Sequence, residues 1–300
     1  MGASALVAGA AWLIGPGVYR TVVVDRPGHN VGMRVPLAWE RAADGGRRIG
    51  HRVEFHERIG STNDRARELL AAGEEGVAVV ADLQTAGRGR RGRSWSSPAG
   101  ANLMLSVAFR PRLPASAGGL LSLAPALAVM DAAAAACETP LAVRWPNDVV
   151  TRDGLKVAGL LAESAVENGE LREAIIGIGL NVNWARREMP PEIAERATSL
   201  SDLAAREIDR VALLGDLLAR LDRELANLEA GVSPLERLSA ASALTGRHIA
   251  VDLGGEVLHG TAAGLAPDGA LLLDAAAGRV ALASGEVVSV RDARGEPVVT

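Results

Sequence analysis

The sequence contains few cysteine and aromatic residues, and its histidines follow no metal-binding pattern. Each of these shortages excludes a type of structure or site. The single cysteine, Cys137, cannot form an internal disulfide, so we expect a reducing, cytoplasmic environment. The five histidines show neither H-E-x-x-H nor Cys/His spacing, so no metal site is expected. Aromatic residues make up only 3% of the chain, too few for an extended surface on which bases could stack. A net charge of −4 gives no general attraction to nucleic acid or to an anionic membrane.

The N-terminal region has little readable pattern. Residues 3–14 are apolar but shorter than the roughly 20 residues that span a bilayer, and no basic residue precedes them as in a secretory signal. Residues 15–50 lack the sustained helical period of a three-helix DNA-binding module. We interpret residues 1–50 as a poorly ordered extension, and Met33 is a candidate alternative start.

Lysine and glutamine are each present once. Lys156 is the only lysine among 32 basic residues, and Gln84 is the only glutamine. An arginine-rich composition of this kind suggests a coding bias. The lone lysine then marks either a position that arginine could not serve or a chance surface position, and composition alone leaves both open.

Hydrophobic patterns divide the rest of the chain into two parts. Residues 51–243 alternate strand-like runs with helices, among them an all-round apolar helix over 120–137 and an amphipathic one over 210–228. The run at 103–109 places four apolar residues on one face of a strand. From about residue 244 to residue 300, short strands separated by glycine turns predict a small β-barrel.

Residues 85–95, TAGRGRRGRSW, hold four arginines and the pattern G-x-G-x-x-G. A dinucleotide-binding fingerprint requires a helix after the third glycine, but Gly92 leads into a turn and another strand. A solvated charged loop and a nucleic-acid-binding tract are two alternatives. Glycines between the arginines favour a third, in which the backbone folds closely around an anion and guanidinium groups point inward.

Further motifs follow in a fixed order. They are GSTND at 60–64, RWPNDVV at 144–150, GLKVAGLLAE at 154–163, IGIGLNVN at 176–183 and SGEVVSVR at 284–291. Each is weak alone. Together with the arginine loop, and in this order, they resemble the catalytic core of the biotin protein ligases from about Glu54 to Arg291.

The resemblance implies an α+β fold, similar to class II aminoacyl-tRNA synthetase cores. A mixed, largely antiparallel sheet with helices forms a catalytic domain over 51–243, and a small SH3-like barrel follows over 244–300. It also implies a ligase that forms a C–N bond. With ATP and Mg²⁺, such an enzyme activates biotin to biotinyl-5′-AMP and transfers it to a lysine of a biotin carboxyl carrier protein, from acetyl-CoA carboxylase or a related carboxylase.

The resemblance also implies roles for individual residues. Lys156 and Arg90 are the catalytic candidates, with Asp148 orienting Arg90; Glu286 and Arg291 match family positions near the barrel. The ammonium group of a lysine is compact and can rotate its donors, so it can stay in contact with the phosphate oxygens as they move during the reaction at phosphorus. The planar guanidinium of an arginine would fit poorly there. The residues implied for biotin are Ser61, Thr62, Asn63, Gln84, Gly87, Arg88, Arg90 and Lys156. Those implied for ATP are Arg88, Arg90, Arg91, Arg93, Trp95, Asn147, Asp148 and Asn181.

Two rival functions remain at this point. Lipoate–protein ligase shares the family's fold, but its usual loop resembles R-R-x-S-G-G-G. A non-catalytic nucleic-acid binder would use the arginine loop alone. Because nothing in residues 1–50 resembles the DNA-binding domain of bifunctional members, we expect the monofunctional type, with neither nucleic acid nor membrane as a partner. The sequence leaves a homodimer open.

Overall fold

The computed structural model describes residues 19–22, 33–291 and 297–298. Its first elements are an antiparallel pair of strands and a short helix, β1 (Tyr19–Val22), β2 (Met33–Pro36) and α1 (Leu37–Glu40). The expectation of poor order is wrong for residues 39–50. Trp39 is only 5% exposed and stacks on Phe55 with ring centroids 5.2 Å apart, and the backbone N–H of the buried Ile49 donates to Asp222 at 2.8 Å. Residues 1–18 and 23–32, where most of that expectation falls, lie outside the described residues.

A seven-stranded sheet forms the centre of the molecule. The elements of this region are β3 (Val53–His56), α2 (Thr62–Ala71), β4 (Ala78–Ala81), β5 (Leu103–Phe109), α3 (Gly118–Cys137), β6 (Ala142–Arg144), β7 (Asp148–Val150), β8 (Lys156–Glu167) and β9 (Glu170–Leu180). The strand order in the sheet is β3-β4-β5-β9-β8-β7-β6, and only β3 and β4 run parallel. The mixed, largely antiparallel sheet implied by the resemblance is therefore confirmed.

Strand β5 is buried on both faces. Leu103, Leu105, Val107 and Phe109 join the main core, as their alternation predicts, while Ala108 faces a smaller cluster under α2. Ser106 points to that second side as well and is fully buried. The strand therefore places a hydroxyl group between the sheet and the helix.

Helices close the core on the side of the sheet opposite α2. Three short or amphipathic helices follow β9, namely α4 (Pro191–Ala194), α5 (Leu200–Ala204) and α6 (Arg210–Glu229). Asp209 caps α6 by accepting from two backbone N–H groups of its first turn. The apolar side of α6 packs against α3, which in turn packs against β8. Residues 115–137 are long and apolar enough to cross a membrane by composition, but here they form this core helix.

The chain ends in a small antiparallel sheet. After α7 (Leu235–Ala240) come β10 (His248–Asp252), β11 (Val257–Leu265), β12 (Leu271–Ala275), β13 (Gly278–Leu282), β14 (Glu286–Arg291) and β15 (Pro297–Val298). The strand order is β13-β12-β11-β10-β14-β15. Its apolar residues join the same core as the central sheet. An antiparallel sheet of this kind agrees with the SH3-like domain that the resemblance implies.

Glu54 on the edge strand β3 is buried, and its charge should stabilise the fold above pH 4.5. Burial opposes the charge, but hydrogen bonds from His56 (2.9 Å) and Arg65 (2.6 Å) outweigh it and lower the pKa of Glu54 from 4.5 to about 2. Because the pKa is lowered on folding, the stabilisation is present above pH 4.5 and is lost as the pH falls towards 2. We expect Glu54→Gln to reduce the free energy of unfolding at pH 7 by about 2 kcal/mol.

Urea titrations at pH 7 and pH 3 measure that difference. The loss should shrink at pH 3, where the native carboxyl group retains less of its advantage over the unfolded one. The exposed Glu57, also on this edge, provides the control, since Glu57→Gln should change little at either pH. An equal loss for Glu54→Gln at both values would contradict the ionic explanation.

Candidate active site

A cleft of about 550 Å³ opens over β8 and β9, where the start of α2, the arginine loop and the edge of the C-terminal sheet meet. Most of the side chains singled out from the sequence line it. These are Ser61, Thr62, Asn63, Gln84, Arg88, Arg90, Arg93, Trp95, Asn147, Asp148, Lys156 and Asn181. Gly87 and Arg91 do not line it. Lys156 and the arginine loop, which lie far apart in sequence, thus share one cavity.

One end of the cleft is formed by the first turn of α2. Ser61 occupies the N-cap position, but its side chain does not cap the helix. The carbonyl oxygen of Gln84 does so instead, accepting from the backbone N–H of Thr62 at 2.8 Å and lying 3.1 Å from its hydroxyl oxygen. The hydroxyl group of Ser61 therefore remains available to a ligand.

The arginine loop is a tight structure rather than an open charged segment. The backbone N–H of Trp95 donates to the carbonyl of Gly87 at 2.9 Å, and that of Gly89 donates to Arg93 at 2.7 Å. A side chain at Gly87 would collide with the Trp95 carbonyl oxygen, and Gly92 has a positive φ of 74°. Gly87 and Gly92 are thus needed to fold the loop.

Three of the four guanidinium groups of the loop are paired with carboxylates. The pairs are Arg88 with Asp64 (2.7 Å), Arg91 with Asp252 (3.0 Å) and Arg93 with Glu286 (2.7 Å). The hydrogen bonds from Arg88 hold the pKa of Asp64 below its ordinary value. The last two pairs tie the loop to the C-terminal sheet. Arg91, expected to bind ATP, faces that sheet instead, because Asp252 accepts from it with both a side-chain and a backbone oxygen.

Arg90 differs from its three neighbours. Its guanidinium is partly buried and donates to the backbone carbonyl of Gly285 at 3.3 Å, and it forms no ion pair with any residue that the structure describes. Burial, helped by the nearby charge of Arg91, lowers the pKa of Arg90, although an arginine stays protonated at neutral pH. Arg90 is therefore the loop cation whose charge is left for a bound anion.

Lys156 forms an ion pair with Asp148 at 2.6 Å, and Asp148 also accepts from Arg144 at 3.1 Å. Burial alone would raise the pKa of Asp148, but the two cations outweigh it and hold the pKa below its ordinary value. Among the described residues no ion pair joins Asp148 to Arg90, so the orientation of Arg90 by Asp148 stays a prediction. Asp148 lies closer to Lys156 and Arg144 because all three belong to neighbouring strands of the sheet edge, and it orients the lysine.

Trp95 rests on two glycines in the floor of the cleft. Gly159 of β8 and Gly179 of β9 are paired across the strands, and the indole ring lies directly against both. The ammonium group of Lys156 is 5.8 Å from the centre of the same ring. The indole Nε1 is buried without a hydrogen-bond partner among the described residues, so its N–H is left unused by the protein.

Gly179→Ala is expected to displace Trp95, because the added methyl group would overlap the indole ring. Overpacking of this size costs about 1–3 kcal/mol, which corresponds to a weakening of nucleotide binding by about 5- to 150-fold. Calorimetric titration with ATP measures it. Gly118→Ala is the matched control, since nothing lies within 4 Å of a methyl group there. Unchanged ATP affinity in the Gly179 variant would show that nucleotide binding does not depend on the contact between the Trp95 ring and Gly179.

Two asparagines brace the cleft rather than point freely into it. Asn147 donates to the backbone carbonyl of Leu160 at 2.6 Å. The buried Asn181 donates to the carbonyl of Lys156 at 3.5 Å and accepts from Asn102 at 3.4 Å. Both therefore fix neighbouring backbone, and each still has an edge on the cleft.

Several lining residues were not singled out from the sequence. Arg144, Gly159 and Gly179 stand within the quoted motifs, but the pairing of Arg144 with Asp148 and the contact of the two glycines with the Trp95 ring were not predicted. The segment 184–197 carries no motif, yet Trp184, Ile193, Arg196 and Ala197 line the cleft. It is fixed in place because the backbone N–H of Lys156 donates to the Arg196 carbonyl at 2.7 Å. Glu286 reaches the cleft, whereas Arg291 is exposed at the end of β14.

Comparison with known proteins accounts for both parts of the chain. Residues 55–181 match the Biotin/lipoate A/B protein ligase family, and residues 244–289 match the Biotin protein ligase C terminal domain. The biotin–[acetyl-CoA-carboxylase] ligase of Mycobacterium tuberculosis is 39% identical over 240 residues, 77% of this chain and 86% of that protein. The chain belongs to the biotin protein ligase family.

Other family members agree in sequence and in fold. The ligase of the same name from Paracoccus denitrificans is 37% identical, covering 77% of this chain and 97% of its own length. A bifunctional ligase/repressor of Bacillus subtilis is 34% identical, covering 75% and 70%. Among solved structures, the biotin protein ligase of Aquifex aeolicus in complex with biotin and ATP superposes with a TM-score of 0.68 at 31% identity, covering 81% of this chain and 99% of that one.

Proposed function

We propose that this biotin protein ligase family member activates biotin with ATP and transfers it to a lysine of a biotin carboxyl carrier protein. The observation that carries the proposal is the meeting of Arg90 and Lys156 in one cleft. A carboxylate and a triphosphate repel each other, and cations placed between them remove that barrier. The relatives named above support biotin as the acid and ATP as the nucleotide.

In the first step, a carboxylate oxygen of biotin attacks the α-phosphorus of ATP. A new O–P bond forms, the bond to the bridging oxygen of the β-phosphate breaks, and pyrophosphate leaves with that electron pair. Arg90 has no carboxylate partner and can neutralise the acid, while Lys156, held by Asp148 at 2.6 Å, can follow the phosphate oxygens. The protein contributes positioning and charge, with no covalent intermediate of its own.

In the second step, the neutral ε-amine of the acceptor lysine attacks the acyl carbon of biotinyl-5′-AMP. The C–N bond forms, the C–O bond to the phosphate breaks, and AMP leaves with that electron pair while the amine nitrogen loses a proton to solvent. The Arg90 and Lys156 charges that favoured adenylation also stabilise the departing phosphate. One set of cations thus serves both halves of the reaction.

Magnesium enters with the nucleotide as the counter-ion of its phosphates. Among the described residues, no three His, Cys, Asp or Glu side chains lie close enough to hold a metal ion together. Biotin's fused urea ring fits the polar end of the cleft formed by Ser61, Thr62 and Gln84, since its two N–H donors and one carbonyl can pair with hydroxyl and amide groups.

We propose acetyl-CoA carboxylase as the source of the carrier protein, because the relatives from Mycobacterium tuberculosis and Paracoccus denitrificans carry that substrate in their names. We also propose a cytoplasmic site of action, which the single buried cysteine, Cys137, supports. A homodimer is a further proposal that rests on the resemblance alone, and sedimentation velocity tests it.

Transfer of labelled biotin to a purified carrier domain tests the function. The label should appear on the carrier only when ATP is present, and a carrier whose acceptor lysine is replaced by arginine should stay unlabelled. Lipoate offered in place of biotin tests the nearest rival enzyme. Transfer of lipoate without transfer of biotin would overturn the proposal.

The rival role as a nucleic-acid binder finds little support in the loop itself. Three of its four arginines are already neutralised by Asp64, Asp252 and Glu286, which leaves few charges for a phosphate backbone. A binder relying on this loop would lose affinity steeply with salt. Oligonucleotide titrations at two salt concentrations, set beside ATP turnover, separate the two functions.

A further inference from the structure

Asn102, immediately before β5, is a fully buried polar residue that stands behind the wall of the cleft. It is 0% exposed and does not line the cavity. Its side-chain oxygen accepts from the backbone N–H of Val182 at 2.9 Å, and its side-chain nitrogen donates to the side-chain oxygen of Asn181 at 3.4 Å. Asn102 therefore connects the backbone that follows β9 to a side chain of the cleft wall.

The backbone of Val182 fixes the orientation of the Asn102 amide. A backbone N–H can only donate, so the Asn102 oxygen faces Val182 and its NH₂ group faces Asn181. That NH₂ group can also only donate, so the Asn181 oxygen faces Asn102. The Asn181 nitrogen then lies on the opposite side, where it donates to the backbone carbonyl of Lys156 at 3.5 Å.

Two neighbours thus favour the same orientation of Asn181. The Lys156 carbonyl favours it because the reverse orientation would bring two oxygens together. That carbonyl already accepts from the backbone N–H of Thr198 at 3.0 Å, so its bond to Asn181 is a second and longer one. Among the described residues, Asn102 is the one whose side chain donates to the Asn181 oxygen. The second N–H of the Asn181 amide is left for a ligand in the cleft.

We infer that Asn102 is a positioning residue for the nucleotide. Its buried amide holds the Asn181 oxygen away from the cleft, so that the Asn181 NH₂ group presents a hydrogen-bond donor to ATP. The nucleotide matches such a donor because its ring nitrogens and phosphate oxygens are acceptors. The inference rests on the proposed function. It assigns a role to a residue that no motif singled out and that touches no substrate atom.

Asn102→Asp tests the orientation at pH 8, well above the ordinary pKa of an aspartate. The carboxylate keeps an acceptor for Val182 but turns its second oxygen towards Asn181. Because a charged acceptor attracts an N–H more strongly than a neutral carbonyl does, the Asn181 amide should reverse and present its oxygen to the nucleotide. We expect the KM for ATP in biotin-dependent pyrophosphate exchange to rise about 5- to 50-fold. The affinity for biotin, measured by calorimetry, should change less than about twofold, because its predicted contacts lie elsewhere in the cleft.

Asn102→Ala separates orientation from the mere loss of contacts. Alanine removes both hydrogen bonds of the side chain, whereas aspartate keeps the one to Val182, so a purely structural role predicts a larger effect for alanine. The inference predicts a smaller one, about 2- to 5-fold in the KM for ATP, because the Lys156 carbonyl still favours the native orientation of Asn181. An effect of alanine as large as that of aspartate would overturn the inference.

A double-mutant cycle with Asn181→Ala shows whether Asn102 acts through Asn181. Once the Asn181 amide is absent, replacing Asn102 with aspartate should change the KM for ATP by less than about twofold more. Losses that simply add would mean that Asn102 affects ATP by another route. Should Asn102→Asp fail to fold, Asn102→Ala takes its place in the cycle, and its smaller effect must disappear in the same background.

Asn183→Asp is the matched control. The oxygen of Asn183 accepts from the backbone N–H of Ile208 at 3.0 Å and its nitrogen donates to the Ile208 carbonyl at 2.9 Å, so aspartate again removes a side-chain donor next to β9. Asn183 does not line the cleft, and this variant should keep the KM for ATP unchanged.

Failure of the inference and failure of the proposed function give different results. If the unaltered protein shows no biotin-dependent exchange, both are wrong. If it shows exchange and Asn102→Asp keeps its KM for ATP, the function stands and only the role of Asn102 is wrong.

Discussion

Replacing Lys156 with arginine is expected to slow biotin adenylation by about 10²–10³-fold, as for the loss of one well-placed charge donor at a reacting centre. The ammonium group of Lys156 lies across Gly159, beside the Trp95 ring and 2.6 Å from Asp148. A planar guanidinium is larger than the ammonium group at this position, and it cannot rotate its donors around a phosphate as an ammonium can. Biotin binding should survive, because the polar end of the cleft is untouched.

Biotin-dependent exchange of labelled pyrophosphate into ATP measures the first step, and calorimetry measures biotin binding separately. The exposed Arg152, outside the cleft, offers a control for a change of cation type, and Arg152→Lys should leave exchange intact. Near-normal exchange in Lys156→Arg would remove the lysine from the mechanism.

Arg90→Gln is expected to reduce adenylation by about 10²-fold and to weaken biotin binding as well, since Arg90 is the loop cation left without a carboxylate. The neutral amide keeps hydrogen-bonding capacity but no longer offsets the repulsion between two anions. The same exchange assay, carried out at several biotin concentrations, separates the effect on the rate from that on the KM.

Arg91→Gln provides a matched comparison within the same loop. Arg91 forms an ion pair with Asp252 and does not line the cleft. Partly exposed ion pairs contribute about 0–1 kcal/mol, so this variant should lose less than about fivefold. Equal losses in the two variants would mean that the loop acts as a whole and that Arg90 has no separate role.

Local sequence patterns were sufficient to predict several of the helices and strands and which of their faces are buried. The alternation of Leu103, Leu105, Val107 and Phe109 predicted which face of β5 meets the main core, and the apolar run at 120–137 predicted a buried helix. The resemblance then brought Lys156 and the arginine loop to one site. These features depend on residue type and short-range spacing, which the sequence contains directly.

Pairings between distant residues could not be predicted in this way. Arg91 meets Asp252 across 161 positions of sequence, and no periodicity links the two. Asp148 forms its ion pairs with Lys156 and Arg144 because the register of the strands, rather than the order of the motifs, determines which charged residues are adjacent. Residues 39–50 were misjudged for the same reason, since the partner of Trp39 is supplied by β3.

The clasp between the arginine loop and the C-terminal sheet consists of solvent-accessible ion pairs, Arg91 with Asp252 and Arg93 with Glu286. Such pairs are individually weak and are screened by salt. Both pairs should therefore weaken as the ionic strength rises, which would loosen the loop from the C-terminal sheet and leave the apolar core that the two sheets share unchanged.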